Sequence, residues 1–314
     1  MYKRQFKDYI WGGTRLRDEY GKKCDYDKVA ESWELSCHKD GPSVVADGEY
    51  KGLTLNEYIE KAGKGVLGKN CERFENFPIL IKLIDAKDNL SVQVHPDNDY
   101  AMRVEGEYGK TEMWYVVDCD EGATLLYGFK HEITKEEFAR RIADNTLLEV
   151  TNAVPVKKGD VFFIKSGTLH AIGKGILIAE IQQNSNTTYR IYDYGRVGKD
   201  GKPRELHVNK ALDVTKLAPA EQYPETPVEK KDGYDIKLLS KCEYFTTYRV
   251  NVETKAELDA DENSFNSILV LEGEPVISGG ETVSAKKGES VFISAGTGKY
   301  TVEGKCTFVL TKID

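Results

Sequence analysis

The stretch Gly159-Asp-Val-Phe-Phe-Ile-Lys-Ser-Gly-Thr-Leu-His170 returns near the C-terminus as Gly288-Glu-Ser-Val-Phe-Ile-Ser-Ala-Gly-Thr-Gly-Lys299. A repeat that keeps its turn glycines and its apolar strand restricts the chain to one fold used twice. The alignment sets lysine opposite histidine, which assigns the chemistry to the first copy. All five histidines (His38, His95, His131, His170, His207) precede residue 208, so the second copy has no imidazole with which to hold a metal.

Short β-branched and aromatic runs punctuated by glycine recur at 79–84, 90–94, 113–117, 161–164, 176–181, 267–271 and 291–294. The expected fold is therefore mainly β, with a few short helices decorating barrels. Thr54-Leu-Asn-Glu57 and Thr134-Lys-Glu-Glu137 have the form of capping boxes, the second before Phe138 and Ile142 on one helical face. A third helix is predicted over 97–105, with Pro96 in its first turn. Three of the nine prolines fall in 217–233, an irregular connector between a first domain (1–216) and a second (234–314).

A formal net charge of −8 argues against a nucleic-acid or anionic-membrane partner, while leaving room for a local basic pocket that binds a small phosphate. The six cysteines form no Cys-x-x-Cys pair and the first residues hold no apolar signal segment, so a reducing cytoplasm is expected. No run approaches the roughly 20 apolar residues of a membrane span. Gly63-Lys-Gly-Val-Leu-Gly-Lys69-Asn70 mimics a phosphate loop but has Asn where Ser or Thr belongs, and it follows a helix instead of a strand.

In Ser91-Val-Gln-Val-His95 the polar residues share one strand face and the valines the other. This pattern allows either a polar barrel interior or an edge strand with a wet face. Lys110 and Glu112 share a face at the head of the strand 113–117, as a buried group needing a counter-charge or as a surface pair. With His170, the set Gln93, His95, Glu112 and His170 offers a mixed nitrogen and oxygen shell suited to zinc, with iron, manganese or cobalt as alternatives. Glu180, Arg190 and Lys82 interrupt apolar strands, and a Glu180–Arg190 ion pair competes with a catalytic reading of both.

Ser91-Val-Gln-Val-His95-Pro-Asp, Gly109-Lys-Thr-Glu-Met-Trp-Tyr115 and Ser166-Gly-Thr-Leu-His-Ala171, followed by Glu180 and Arg190, resemble type I mannose-6-phosphate isomerase of the cupin superfamily, as do Trp11-Gly-Gly13 and Ala30-Glu-Ser-Trp-Glu34. The resemblance implies two cupin jelly-roll barrels and one zinc ion held by Gln93, His95, Glu112 and His170. It implies interconversion of mannose 6-phosphate and fructose 6-phosphate. Arg190, Lys110, Glu180 and Lys82 are the implied catalytic groups; Ser91, Lys82, Lys110, Arg190 and Glu31 are the implied contacts of the phosphorylated hexose. The chain looks like the short bacterial form, and the insertion between His95 and Glu112 is expected to wall the pocket.

Isomerisation through an enediol needs oxyanion stabilisation and a proton carrier, for which Glu180, Lys82 and Lys110 are candidates. A metal-dependent dioxygenase differs in needing redox-active iron and consuming oxygen. A sugar-binding regulator binds without turnover.

Overall fold

The expected apolar runs are strands in the computed structural model, which describes residues 2–3, 5–198 and 201–314. The first half of the chain builds a two-stranded sheet that pairs Tyr2–Lys3 with Val44–Val45, and two large sheets. One has six antiparallel strands in the order Val161–Ile164, Glu112–Cys119, Ile176–Gln183, Ile79–Ala86, Glu31–Leu35 and Gln5–Lys7. The other has five, in the order Tyr189–Tyr192, Val92–Val94, His170–Ala171, Thr124–Phe129 and Thr151–Pro155.

The C-terminal half repeats the two large sheets with one strand fewer. Its six-stranded sheet runs Ser290–Ile293, Asn266–Gly273, Cys306–Lys312, Thr246–Val252, Tyr234–Lys241 and Val228–Lys231, and its four-stranded sheet runs Lys255–Ala260, Gly298–Glu303, Val276–Gly279 and Glu281–Ser284. The four-stranded sheet has no counterpart of Tyr189–Tyr192 among the described residues, and that is the strand carrying Arg190. Gly159 and Gly288 open their repeats at φ 91° and 79°, a backbone region that glycine enters without a Cβ clash.

The expected mainly β architecture is present, and among the described residues no continuous ladder joins the two sheets of either pair. Register shifts at Leu177/Ile178 and Trp33/Leu35 bend the strands of the six-stranded sheet. The connector is also less irregular than expected, because Val228–Lys231 within it is an edge strand.

Strand period decides which side chains form the pocket and which form the core. On the six-stranded sheet Ile81, Leu83, Met113, Tyr115, Ala179 and Ile181 face away from the pocket, where they share one core with Phe245, Phe265, Leu269, Leu271 and Val309 of the second half. Phe265 stacks on Phe77 and Phe292 at centroid separations of 5.5 and 4.9 Å. Burying a phenylalanine contributes roughly 1.5–3 kcal/mol, so this shared core ties the two halves strongly.

The phosphate-loop mimic belongs to the same junction. Its residues form two short 3-10 turns, Lys64–Leu67 and Lys69–Cys71, and the Lys69 and Asn70 amides donate to the Glu262 and Asn263 carbonyls. Gly68 sits at φ 87°, where a Cβ would meet the Asn263 backbone at 2.5 Å.

Helix Leu55–Ala62 has the full capping box at Thr54 and Glu57. Helix Lys135–Ala143 has only half of one: Thr134 accepts from the Glu137 amide, while the Glu137 carboxylate turns to Arg141. The third expected helix is Asn98–Val104, capped by Asp97, so Pro96 precedes the cap and is not in the first turn. Arg15–Asp18 and Val208–Val214 are helices the sequence reading did not anticipate. No described helix is long and apolar enough to cross a membrane.

Candidate metal centre and active-site pocket

Two cross-strand rows meet in the pocket. On the six-stranded sheet, Trp33, Lys82, Glu180 and Trp114 are register partners on four successive strands. On the facing sheet, Arg190, Gln93, His170 and Tyr127 are partners in the same way. The Trp114 ring meets His170 edge-on at 5.3 Å and links the rows. Period-2 alternation therefore carries the polar face of 91–95 inward, while Val92 and Val94 pack on the other side with Phe129, Phe138 and Ile191. The wet-edge alternative for this strand is excluded.

His95, Glu112 and His170 are fully enclosed, with candidate ligand atoms all within 4.8 Å of one another. His170 Nδ1 lies 2.8 Å from the Thr168 carbonyl and His95 Nδ1 lies 3.0 Å from the Thr187 carbonyl. A carbonyl only accepts, so each Nδ1 carries the proton and each Nε2 keeps a lone pair. The two Nε2 atoms are nevertheless 3.1 Å apart, and Glu112 oxygens lie 3.6 and 3.4 Å from them. Ligands held 2.0–2.2 Å from a common tetrahedral centre lie about 3.4 Å apart, so these residues fit a small divalent cation. Both Glu112 oxygens are buried: one has the Lys110 ammonium at 2.8 Å, and the other faces His170 without a hydrogen bond.

Gln93 brings its side-chain amide to 3.3 Å from His170 Nε2, and a half-turn of that amide presents its oxygen to the same centre. Burial and the neighbouring Lys110 ammonium push His95 down to about 3, and burial lowers His170 as well, so both imidazoles are neutral. Glu112 stays ionised despite burial, because the Lys110 ammonium draws it well below the carboxylate range.

Beside this cluster, Lys110 Nζ is 2.8 Å from Glu112 and 3.7 Å from Glu180, and Lys82 Nζ is 3.4 Å from Glu180 and 3.6 Å from Glu31. The surface-pair alternative for Lys110 and Glu112 is corrected, since both are buried. Burial opposes the charge of Lys82, but Glu31, Glu180 and Glu112 outweigh it and hold the ammonium above its ordinary value. Burial and the Glu112 charge raise Glu180, against the pull of both lysines, which suits a proton carrier. Trp114 Nε1 donates to Glu180 at 2.9 Å and Trp33 Nε1 to Glu31 at 2.8 Å.

Three buried carboxylates (Glu31, Glu112, Glu180) and two buried ammoniums (Lys82, Lys110) leave a net charge of −1, since 2 − 3 = −1. A divalent cation reverses that sign and makes the pocket attractive to an anion.

Arg190 is not paired with Glu180. It donates from Nη1 to the Glu205 carbonyl at 2.9 Å, and its buried Nε has no partner. Arg196 and Arg204 stand near it, both bonded to Asp193. Ser91 is buried two residues ahead of Gln93.

The described residues of the second half hold no such cluster, and its structure corrects the repeat alignment by one residue. Lys299 points outward and is exposed, while Tyr300 is buried on the inward face. Asn266 occupies the register position of Glu112, opposite Ile293 as Glu112 is opposite Ile164. Asn266 Nδ2 donates to the Tyr300 hydroxyl at 2.9 Å, a neutral pair where the first half has carboxylate and imidazole.

Comparison with known proteins identifies the family. Residues 1–122 match the model of the phosphomannose isomerase type I catalytic domain and residues 235–313 that of the mannose-6-phosphate isomerase cupin domain. The mannose-6-phosphate isomerase ManA of Bacillus subtilis is 39% identical over 100% of this chain and 98% of its own. This chain belongs to the type I mannose-6-phosphate isomerase family. The mannose-6-phosphate isomerase of Streptococcus mutans is 39% identical, covering 92% of this chain and 90% of its own. A crystal structure of the Bacillus subtilis mannose 6-phosphate isomerase superposes with a TM-score of 0.93 at 38% identity, over 99% of this chain and 98% of that one. A mutant phosphomannose isomerase of Salmonella typhimurium, at 16% identity and a TM-score of 0.80, shares the fold.

Within this family member the sequence reading missed the Thr168 and Thr187 carbonyls, because main-chain acceptors have no residue signature. It also missed the indole donors as partners of Glu31 and Glu180, although Trp33 and Trp114 lie inside the motifs.

Proposed function

We propose that this chain is a metal-dependent aldose–ketose isomerase that interconverts mannose 6-phosphate and fructose 6-phosphate through an enediol. The observation that carries the reading is the pair of neutral imidazoles turned Nε2 to Nε2 beside the buried Glu112 carboxylate, in a pocket with one negative charge in excess. Gln93, His95, Glu112 and His170 would hold one zinc ion per chain, with other divalent metals as possible substitutes. When bound, that ion supplies polarisation of substrate oxygens.

The remaining work falls to the chain's own side chains. Glu180, with its raised affinity for protons and its indole hydrogen bond, takes and returns the proton moved between C2 and C1. Lys82 and Lys110 flank it and offset charge developing on the enediolate oxygens. Arg190 presents a planar fork to an oxyanion or phosphate. Ser91 and Glu31 complete the contacts to sugar hydroxyls. The buried indoles of Trp33 and Trp114 wall the polar row and exclude water from it.

We read the sheet pairs as two cupin jelly rolls, a catalytic unit (1–216) and a unit without ligands (234–314), joined through 217–233. The six free thiols fit a cytoplasmic enzyme. Turnover of mannose 6-phosphate in deuterium oxide tests the enediol: deuterium at C1 of the ketose supports it, and complete retention of the substrate hydrogen rejects it for a hydride shift.

A further inference from the structure

The two imidazoles of the cluster are oriented by different means. His170 bonds to Thr168, two residues back on its own turn. His95 depends on Thr187, which is remote in sequence and belongs to the loop between strands Ile176–Gln183 and Tyr189–Tyr192. That loop has one anchor of unusual density. Glu107, from the insertion between His95 and Glu112, accepts from the Asn186 amide at 3.1 Å and the Thr187 hydroxyl at 3.0 Å, with the Ser185 hydroxyl at 3.4 Å.

Its other carboxylate oxygen faces His38 Nε2 at 3.0 Å. The Asp40 amide donates to His38 Nδ1 at 3.1 Å, so the proton of neutral His38 sits on Nε2 and is given to Glu107. His38 is itself buried and held edge-on by Trp33 at 5.8 Å. Burial works against the Glu107 charge, yet the Asn186 amide and the side-chain donors hold its carboxyl below the ordinary range.

We infer that Glu107, braced by His38, is a positioning residue that fixes the ring of His95 through the Ser185–Thr187 loop and so sets the affinity of the cluster for its cation. This rests on the reading of His95, Glu112 and His170 as a metal centre. Glu107 bonds to none of His95, Glu112 and His170; its effect passes through the Thr187 carbonyl. Hydrogen-bond partners behind a ligating histidine typically govern 10- to 100-fold of metal affinity.

Cobalt(II) is the probe, because its visible absorption reports the ligand arrangement and its affinity is read by competition with a chromophoric chelator. The variant is Glu107→Gln, whose amide can accept on only one of its two sides. Thr134→Ala, which loses a helix cap bonded to neither the loop nor the cluster, serves as a destabilised control. The expected result is about 10- to 100-fold weaker cobalt binding in Glu107→Gln with an altered visible band, and unchanged affinity in Thr134→Ala. His38→Gln, which removes one brace and leaves the carboxylate, is expected to shift both readings the same way by less, and it decides the matter if Glu107→Gln does not fold.

Parental affinity and spectrum in Glu107→Gln, or an equal loss in Thr134→Ala, overturns the inference while leaving the metal centre intact. Failure of the parent protein to take up cobalt overturns both.

Discussion

At His170 one ring nitrogen is committed to the Thr168 carbonyl and the other to the cluster, so alanine removes a candidate ligand together with the ring's edge-on contact with Trp114. His170→Ala is expected to abolish stoichiometric metal and turnover together while the sheets remain folded; metal analysis and a melting curve check this. Lys299→Ala, at the position the repeat aligns with His170, is expected to change neither, because Lys299 faces outward. Trp114→Phe removes the indole donor from the buried Glu180 carboxylate, an unsatisfied acceptor costing about 1–3 kcal/mol, so both urea midpoint and kcat should fall. Gln93, His95 and Glu112 were legible in sequence because strand alternation forces them to one side. The true partner of His170 in the repeat was not, because a one-residue difference after Gly167 and Gly296 moves Tyr300 into the inward place. Glu107 carried no signal at all: it is one charged residue in an insertion, and its role exists only once the Thr187 loop has closed on it.

Among the elements, the strand Tyr189–Tyr192 and the segment after it distinguish the first half from its copy. Arg190→Ala should retain metal and fold yet lose on the order of 100- to 1,000-fold in kcat, with little recovered by Arg190→Lys, since a point charge does not reproduce the fork. Near-normal kcat would assign Arg190 to structure. Asp193 draws Arg196 and Arg204 together, and although burial opposes its charge, those guanidiniums hold its carboxyl below the ordinary aspartate value. A depressed carboxyl contributes stability that is present above its unfolded value of about 3.9 and is lost as pH falls through its folded value. Asp193→Asn should therefore unfold at lower urea than the parent at pH 7, with the gap closing under acid; a gap of equal size in strong acid would count against this. The main strands and the Thr54 cap were readable from alternation and capping chemistry. The helices Arg15–Asp18 and Val208–Val214 were not, being too short to establish a 3.6-residue period.

At the scale of the whole molecule, one half carries the charged rows and the other carries a neutral copy, yet they share a core. Phe265→Ala, which empties the centre of the Phe77–Phe265–Phe292 stack, should cost about 3–5 kcal/mol and lower the melting temperature of the catalytic half with it. Two separate transitions, with only the second displaced, would contradict a shared core. The central claim is that the enclosed His95–Glu112–His170 cluster is the seat of a cation on which sugar-phosphate isomerisation depends. The most direct measurement is a coupled assay with mannose 6-phosphate on the protein as purified, after chelation, and after stoichiometric zinc is returned. Fructose 6-phosphate formation that disappears with the metal and returns with it is the expected result; undiminished turnover in the thoroughly metal-free protein would contradict the account.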